Sequence, residues 1–224
     1  MSRSNTAILI LIALGLVAFL FLDQPFAVWI HENIRDEDKG FIWLLGRPGR
    51  AENWALVALG FLAAPRASLF LWRKASDAVR RGPTIALHLF VALLSASTLN
   101  ELLKIAFGRP RPTKALELAS FSLSPLNIQS AFHSFPSGHT QTAWTAVLVL
   151  ASYFPRLRLP LFALATSAMV SRVLMNRHYV SDTLIGCVVA IVVVGWSPTL
   201  LTKVTGSGWW SRANAWLTNS EPRA

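Results

Sequence analysis

Apolar residues fall into six runs along this chain, each close to the thickness of a bilayer, and polar residues gather between them. The runs cover 6–22, 54–72, 84–107, 137–154, 160–176 and 181–201. A helix needs about 20 apolar residues to cross the hydrocarbon layer, and backbone groups in lipid must bond within their own structure. The pattern predicts an all-α fold: a polytopic membrane bundle of six transmembrane helices in one integral-membrane domain over residues 1–224. The first run follows a short polar start with Arg3 and precedes no clear A-x-A site, so it reads as a retained span rather than a cleaved signal. The mixed stretch 23–53 places Phe26, Trp29 and Ile30 at helical spacing and repeats the aromatic theme at Trp43. It predicts short helices lying in the membrane interface. Pro65 and Arg66 interrupt the second run, with Arg66 snorkelling to the nearer surface. Pro110, Pro112 and Pro125 make 108–135 a loop. The tail carries Trp209, Trp210 and Trp216 among polar residues.

An even number of spans puts both termini on one side. The basic loop with Arg73, Lys74, Arg80 and Arg81 and the turn with Arg156 and Arg158 fall on that side. The positive-inside tendency then makes the termini cytoplasmic in an inner (plasma) membrane. The bias is modest, because Arg35, Lys39, Arg47 and Arg50 lie opposite.

Composition sharpens this picture. The chain is 53% hydrophobic and 14% charged, against about 25% charged in soluble domains. Its net charge of +10 sits in loops and at helix ends. That distribution suits membrane lipid headgroups and an anionic substrate and lacks the soluble basic face of a nucleic-acid binder. Cys187 is the single cysteine, so no internal disulfide forms. No cluster of Cys, His and carboxylates has metal-ligand spacing, and no metal or cofactor is expected. His88 reads as bonded within the bundle, His31 as near a surface and His133 as a loop residue. Nothing in the pattern sets the oligomeric state.

Three polar segments stand beside the apolar runs: 104–112 (KIAFGRPRP), 136–139 (PSGH) and 171–182 (SRVLMNRHYVSD). Under the six-span topology all of them emerge on the outer face. Lys104 and Arg111 supply cations for the oxygens of a phosphoryl group. Ser137 stands at the start of a helix whose free N–H groups and dipole attract an anion, and Gly138 leaves room for it. His139 is placed to exchange a proton with a bridging oxygen. His178 and Asp182 are four apart, so a carboxylate accepting Nδ1–H would leave Nε2 as a nucleophile; Arg172 adds a further donor. Plainer readings stand beside each segment: lipid-facing anchors for Lys104, Arg109 and Arg111, a Glu101–Lys104 structural pair, a bystander histidine in an N-terminal helix turn, and a salt-bridged helix end in which Arg177 pairs with Asp182. The convergence of all three segments favours a site.

These segments resemble the K-x6-R-P, P-S-G-H and S-R-x5-H-x3-D motifs of the type 2 phosphatidic acid phosphatase superfamily, with every motif position filled between 104 and 182. The resemblance implies a metal-independent phosphatase acting on a phosphorylated lipid, its site facing the periplasm or exterior. It implies that His178 attacks phosphorus and forms a phosphohistidine, that Asp182 orients it, and that His139 protonates the leaving oxygen. Lys104, Arg111, Ser137, Gly138 and Arg172 would bind the phosphoryl oxygens. Vanadium-dependent haloperoxidases share such a site but are soluble, against this composition. The family's substrates include phosphatidylglycerophosphate, phosphatidate, polyprenyl pyrophosphate and lipid A 1-phosphate, and the stretch 132–140 looks like bacterial members acting on the first or last of these. Phosphotransfer to another hydroxyl uses the same parts. A non-catalytic anion-binding or transport protein is the reading from another class, disfavoured because His88 is the one ionisable residue deep in a span.

Overall fold

The structure, a computed structural model, describes residues 3–72 and 81–206. Among these residues all regular structure is helical. The expectations for Arg73, Lys74 and Arg80, for the Arg66 side chain and for Trp209, Trp210 and Trp216 lie outside what is described.

The chain opens with α1 (Arg3–Val17), a π-helical stretch (Ala18–Leu22) and α2 (Asp23–Asn33), which follow one another without a break. The first span and the first interfacial helix, expected to be separate, are therefore one rod. Pro25 lies in the first turn of α2, where its ring would crowd the carbonyl four residues back. The wider π turn just before it, closed by the Asp23 N–H donating to the Ala18 carbonyl, lets the helix continue. Then come α3 (Lys39–Leu45), a 3-10 turn (Arg47–Gly49), α4 (Ala51–Trp72), α5 (Gly82–Phe107), α6 (Pro112–Glu117), α7 (Gly138–Tyr153), α8 (Arg158–Leu174) and α9 (Val180–Thr205).

Four helical stretches among the described residues are long and apolar enough to cross a membrane: Ser4–Asn33, Gly82–Glu117, Pro155–Leu174 and Val180–Lys203. The chain is accordingly an integral membrane protein. The other two predicted runs also form helices, α4 with 22 residues and α7 with 16. α7 is the buried heart of the bundle, in contact with α5, α8 and α9. Its Ala143, Ala146 and Val147 cluster with Leu89 and Ala92 of α5 and Ala165 and Ala168 of α8, all without exposure. Lipid tails are as apolar as leucine, so helices there associate through close packing, and small side chains permit it. His88 bonds within the bundle as expected, its Nδ1 3.1 Å from the Tyr153 hydroxyl and its Nε2 2.7 Å from Ser197 Oγ.

Two local features aim the chain toward the site. Gly108 ends α5 in the left-handed region (φ 54°), its N–H donating to Lys104 O at 2.8 Å. A Cβ there would lie 1.6 Å from Ser124 O, so only glycine fits. The segment with α3 and the 3-10 turn is helical as predicted, and it docks on the bundle end. Ser171 Oγ donates to Ile42 O at 2.6 Å and Ser167 Oγ to Leu45 O at 3.2 Å.

Because Ala146 has no exposure and faces packed helices, Ala146→Leu overfills the core. It should lower stability by about 1–3 kcal/mol, read as a lower midpoint of thermal unfolding in detergent.

Candidate active site

The last turn of α5, the first turn of α7, the end of α8 and the start of α9 meet at one end of the bundle. Backbone bonds knit them: Ser137 N–H donates to Asp182 O at 3.0 Å, Ser134 N–H to Arg109 O at 3.0 Å and Arg111 N–H to Ala131 O at 2.8 Å.

His178 lies just before α9 and is 4% exposed. Its Nδ1 is 2.7 Å from the Ser134 carbonyl oxygen. A carbonyl only accepts, so Nδ1 carries the proton and Nε2 keeps its lone pair. Asp182 Oδ2 is 3.7 Å from Nδ1. The direct bond expected between that carboxylate and Nδ1 is thus taken over by Ser134. The same serine donates its hydroxyl to Asp182 Oδ2 at 2.6 Å, so one residue bonds both partners. Tyr179 N–H donates to Oδ2 as well, at 2.9 Å. Burial holds the His178 imidazole below the ordinary histidine value, with the Asp182 carboxylate opposing part of that shift. The ring is neutral at pH 7.

Behind Asp182 stands a buried ion triad. Arg109 donates through one terminal nitrogen to Asp182 Oδ1 at 2.5 Å and to Ser181 Oγ at 2.8 Å, and through the other to Asp23 Oδ2 at 2.8 Å. Its guanidinium lies 3.9 Å from the centre of the Tyr179 ring. Asp23 also accepts from Ser181 N–H and Oγ. The pairing of Asp182 with Arg177, open at the level of sequence, is excluded by this arrangement; the acid belongs to Arg109.

Gly138, His139 and Arg172 line a cavity of about 530 Å³ together with Asn100 and Glu101. Lys104 Nζ is 3.3 Å from where a Gly138 Cβ would stand, and bonds Glu101 at 2.6 Å. The predicted Glu101–Lys104 pair is present, and it leaves the ammonium beside the mouth of α7. Arg172 Nε is buried with no protein partner. The turn at Gly46 and Gly49 presses on this wall: a Cβ on Gly46 would come within 2.8 Å of the Arg172 guanidinium and one on Gly49 within 2.6 Å of His139 Cβ. Ser137 holds the N-cap position with extended backbone, but its hydroxyl accepts from Thr140 Oγ1 at 3.0 Å and takes no N–H of the first turn. Those N–H groups keep their anion-binding capacity. Arg111 bonds Ser130 O through Nε at 3.0 Å and opens on a separate cavity of about 400 Å³ beside Arg177. It remains within electrostatic reach of His178, His139 and Arg172.

The sequence pattern of the PAP2 superfamily matches residues 85–205, more than half of the chain. The chain belongs to the PAP2 superfamily. It is 36% identical over 120 residues to a protein named Lipid A 1-phosphatase from Rhizobium etli, covering 54% of this chain and 50% of that one. It is 38% identical over 102 residues to a protein of the same name from Rhizobium johnstonii, covering 46% and 42%. The chain thus matches about half the length of these relatives or less. Two crystal structures share the fold. Aquifex aeolicus LpxE aligns with TM-score 0.53 and 22% identity over 80% of this chain and 95% of that one. A transmembrane PAP2-type phosphatidylglycerolphosphate phosphatase from Bacillus subtilis aligns with TM-score 0.57 and 20% identity over 91% and 98%.

Four residues that the structure gathers at this candidate site were not among the site residues expected from the sequence: Asp23, Asn100, Arg109 and Ser134. Asp23 carried a signal, a lone acid closing an apolar run. Arg109 was visible between Gly108 and Pro110 but indistinguishable from a lipid-facing cation. Ser134 acts through its carbonyl, which no side-chain pattern reports. Asp23 also lies outside the matched region, and its bond to Arg109 ties the first helix to that region.

Arg109→Met strands two buried carboxylates and should cost about 3–5 kcal/mol of stability, measured by denaturation in detergent. In a ¹⁵N-imidazole titration of the purified protein, His178 should protonate below the ordinary value of 6.5. A midpoint at or above it refutes the neutral nucleophile.

Proposed function

We propose that this chain is a metal-independent lipid phosphatase of the bacterial inner membrane that removes the 1-phosphate of a lipid A-type substrate through a phosphohistidine. The observation that carries the reading is the single tautomer of His178, its Nδ1–H held by Ser134 O and its Nε2 free for attack. The names of the Rhizobium relatives support the choice of substrate.

In the first half-reaction, the Nε2 lone pair forms a bond to phosphorus and the ester P–O bond breaks. His139 takes up a proton when the phosphate charge offsets the cations around it, and gives that proton to the leaving oxygen. The ring becomes cationic as the N–P bond forms, and Asp182 at 3.7 Å, with the Ser134 carbonyl, stabilises that charge. The triad of two carboxylates and one guanidinium carries one surplus negative charge for this purpose. In the second half-reaction, His139 takes a proton from water, hydroxide attacks phosphorus, and the P–N pair returns to Nε2. Lys104, Arg111, Arg172 and the first N–H groups of α7 neutralise the equatorial oxygens; Gly138 leaves them room, and Ser137 sets the start of the helix. These cations meet the phosphoryl charge without a metal ion.

The reading keeps six spans, with α4 and α7 joining the four membrane-length helices, both termini in the cytoplasm and the site facing the periplasm. The exposed Arg156 and Arg158 then lie at the cytoplasmic surface, opposite the catalytic end.

His178→Ala should lower phosphate release at least ~10³-fold while the protein still inserts and elutes as wild type. Wild-type protein quenched during turnover of labelled substrate should retain acid-labile, alkali-stable phosphate, and EDTA should leave the rate unchanged. Wild-type rates in His178→Ala would exclude the mechanism.

A further inference from the structure

We propose that Asn100 reads a hydrogen-bond donor, a hydroxyl or an amide N–H, on the substrate headgroup, making the main cavity a subsite for a sugar-like headgroup. This deepens the phosphatase reading and rests on it for the position of the phosphate. Asn100 is 1% exposed and lies on α5 one turn before Lys104. Its Nδ2 faces the Pro136 carbonyl at 3.4 Å. Turning the amide over would set oxygen against oxygen, so the orientation is fixed by chemistry. Oδ1 is then a buried acceptor with no protein partner. Such an atom costs stability until a donor reaches it. Asn100 lines the same cavity as Gly138 and His139, and its Nδ2 is 3.6 Å from where a Gly138 Cβ would stand. A group entering this cavity beside Gly138, where the proposed function puts the phosphate, would supply the missing donor.

The rest of the cavity fits a ring with hydroxyls. At about 530 Å³ it is far larger than a phosphate and within the range of small-molecule sites. Glu52 and Glu101 stand on the same lining, each bonded to one cation and each with lone pairs to spare. Trp43 adds an amphipathic flank. Cations hold one end of the substrate, and an acceptor-bearing wall faces the part next to it. A lipid phosphate with a bare alkyl or prenyl group beside the ester leaves Oδ1 unpaired.

The test uses two lipid phosphates with the same acyl chains in phosphatidylcholine vesicles, one a glycosyl phosphate with a hydroxyl beside the ester and one its deoxy analogue. Wild type should favour the hydroxylated lipid in kcat/KM by tenfold or more. Asn100→Leu should bring the two within threefold of each other, and Asn100→Ser, which keeps an acceptor, should retain part of the preference. A wild type indifferent to the hydroxyl overturns the proposal whatever the variants do, as does an Asn100→Leu protein with the full preference. The same pair is measured for equilibrium binding to His178→Ala. If wild type releases phosphate from no lipid, the phosphatase reading fails, and that binding ratio alone decides the subsite: a tenfold preference supports it and parity overturns it.

Discussion

A guanidinium buried between two carboxylates holds this molecule's working end together. Arg109 is drawn from the loop after α5, Asp23 from the first helical rod and Asp182 from the start of α9, so one cation joins three parts of the chain remote in sequence. Taking these charges out of water costs several kcal/mol each. The forked donors of arginine meet that cost by bonding both acids and a serine hydroxyl at once, and a lysine lacks the geometry. The triad also fixes direction. With Oδ1 of Asp182 committed to Arg109, Oδ2 is left for Ser134, whose carbonyl in turn aligns His178.

The outline of this arrangement was legible in the sequence because membranes make polar residues expensive. Runs of apolar residues announced the helices, and the few ions at their ends announced the site. Gly138, His139 and Arg172 line one cavity, the Lys104 ammonium stands beside Gly138, and His178 and Asp182 sit at the predicted helix start. What escaped was of a different kind. The bond from Nδ1 goes to a backbone carbonyl, and carbonyls have no letter in a sequence. Continuity of α1 with α2 depended on a π turn, a local choice of bonding that composition does not encode. Arg109 and Arg111 are two residues apart in one motif, yet one is sealed inside with carboxylates and the other borders a second cavity. Only the path of the chain separates them.

Crowding of like charges is the counterpart of that triad. Arg111, Arg172 and Arg177 lie within each other's electrostatic reach, and the Gly46–Gly49 turn leaves Arg172 and His139 little room to move. Fixed cations that cannot relax away are costly without an anion and strongly favourable with one. The site is therefore preorganised for charge that arrives with the substrate, the condition under which electrostatic catalysis works best.

The brevity of α7 has a consequence for how a lipid is met. Sixteen residues of helix extend about 24 Å, against roughly 30 Å of hydrocarbon. In the proposed six-span topology, with Arg156 and Arg158 at the far headgroups, the Gly138 end of α7 stops several ångströms short of the opposite boundary. Under that proposal the two histidines wait below the polar surface, in a dimple in the leaflet. Tails stay anchored where they are, and it is water that makes the journey.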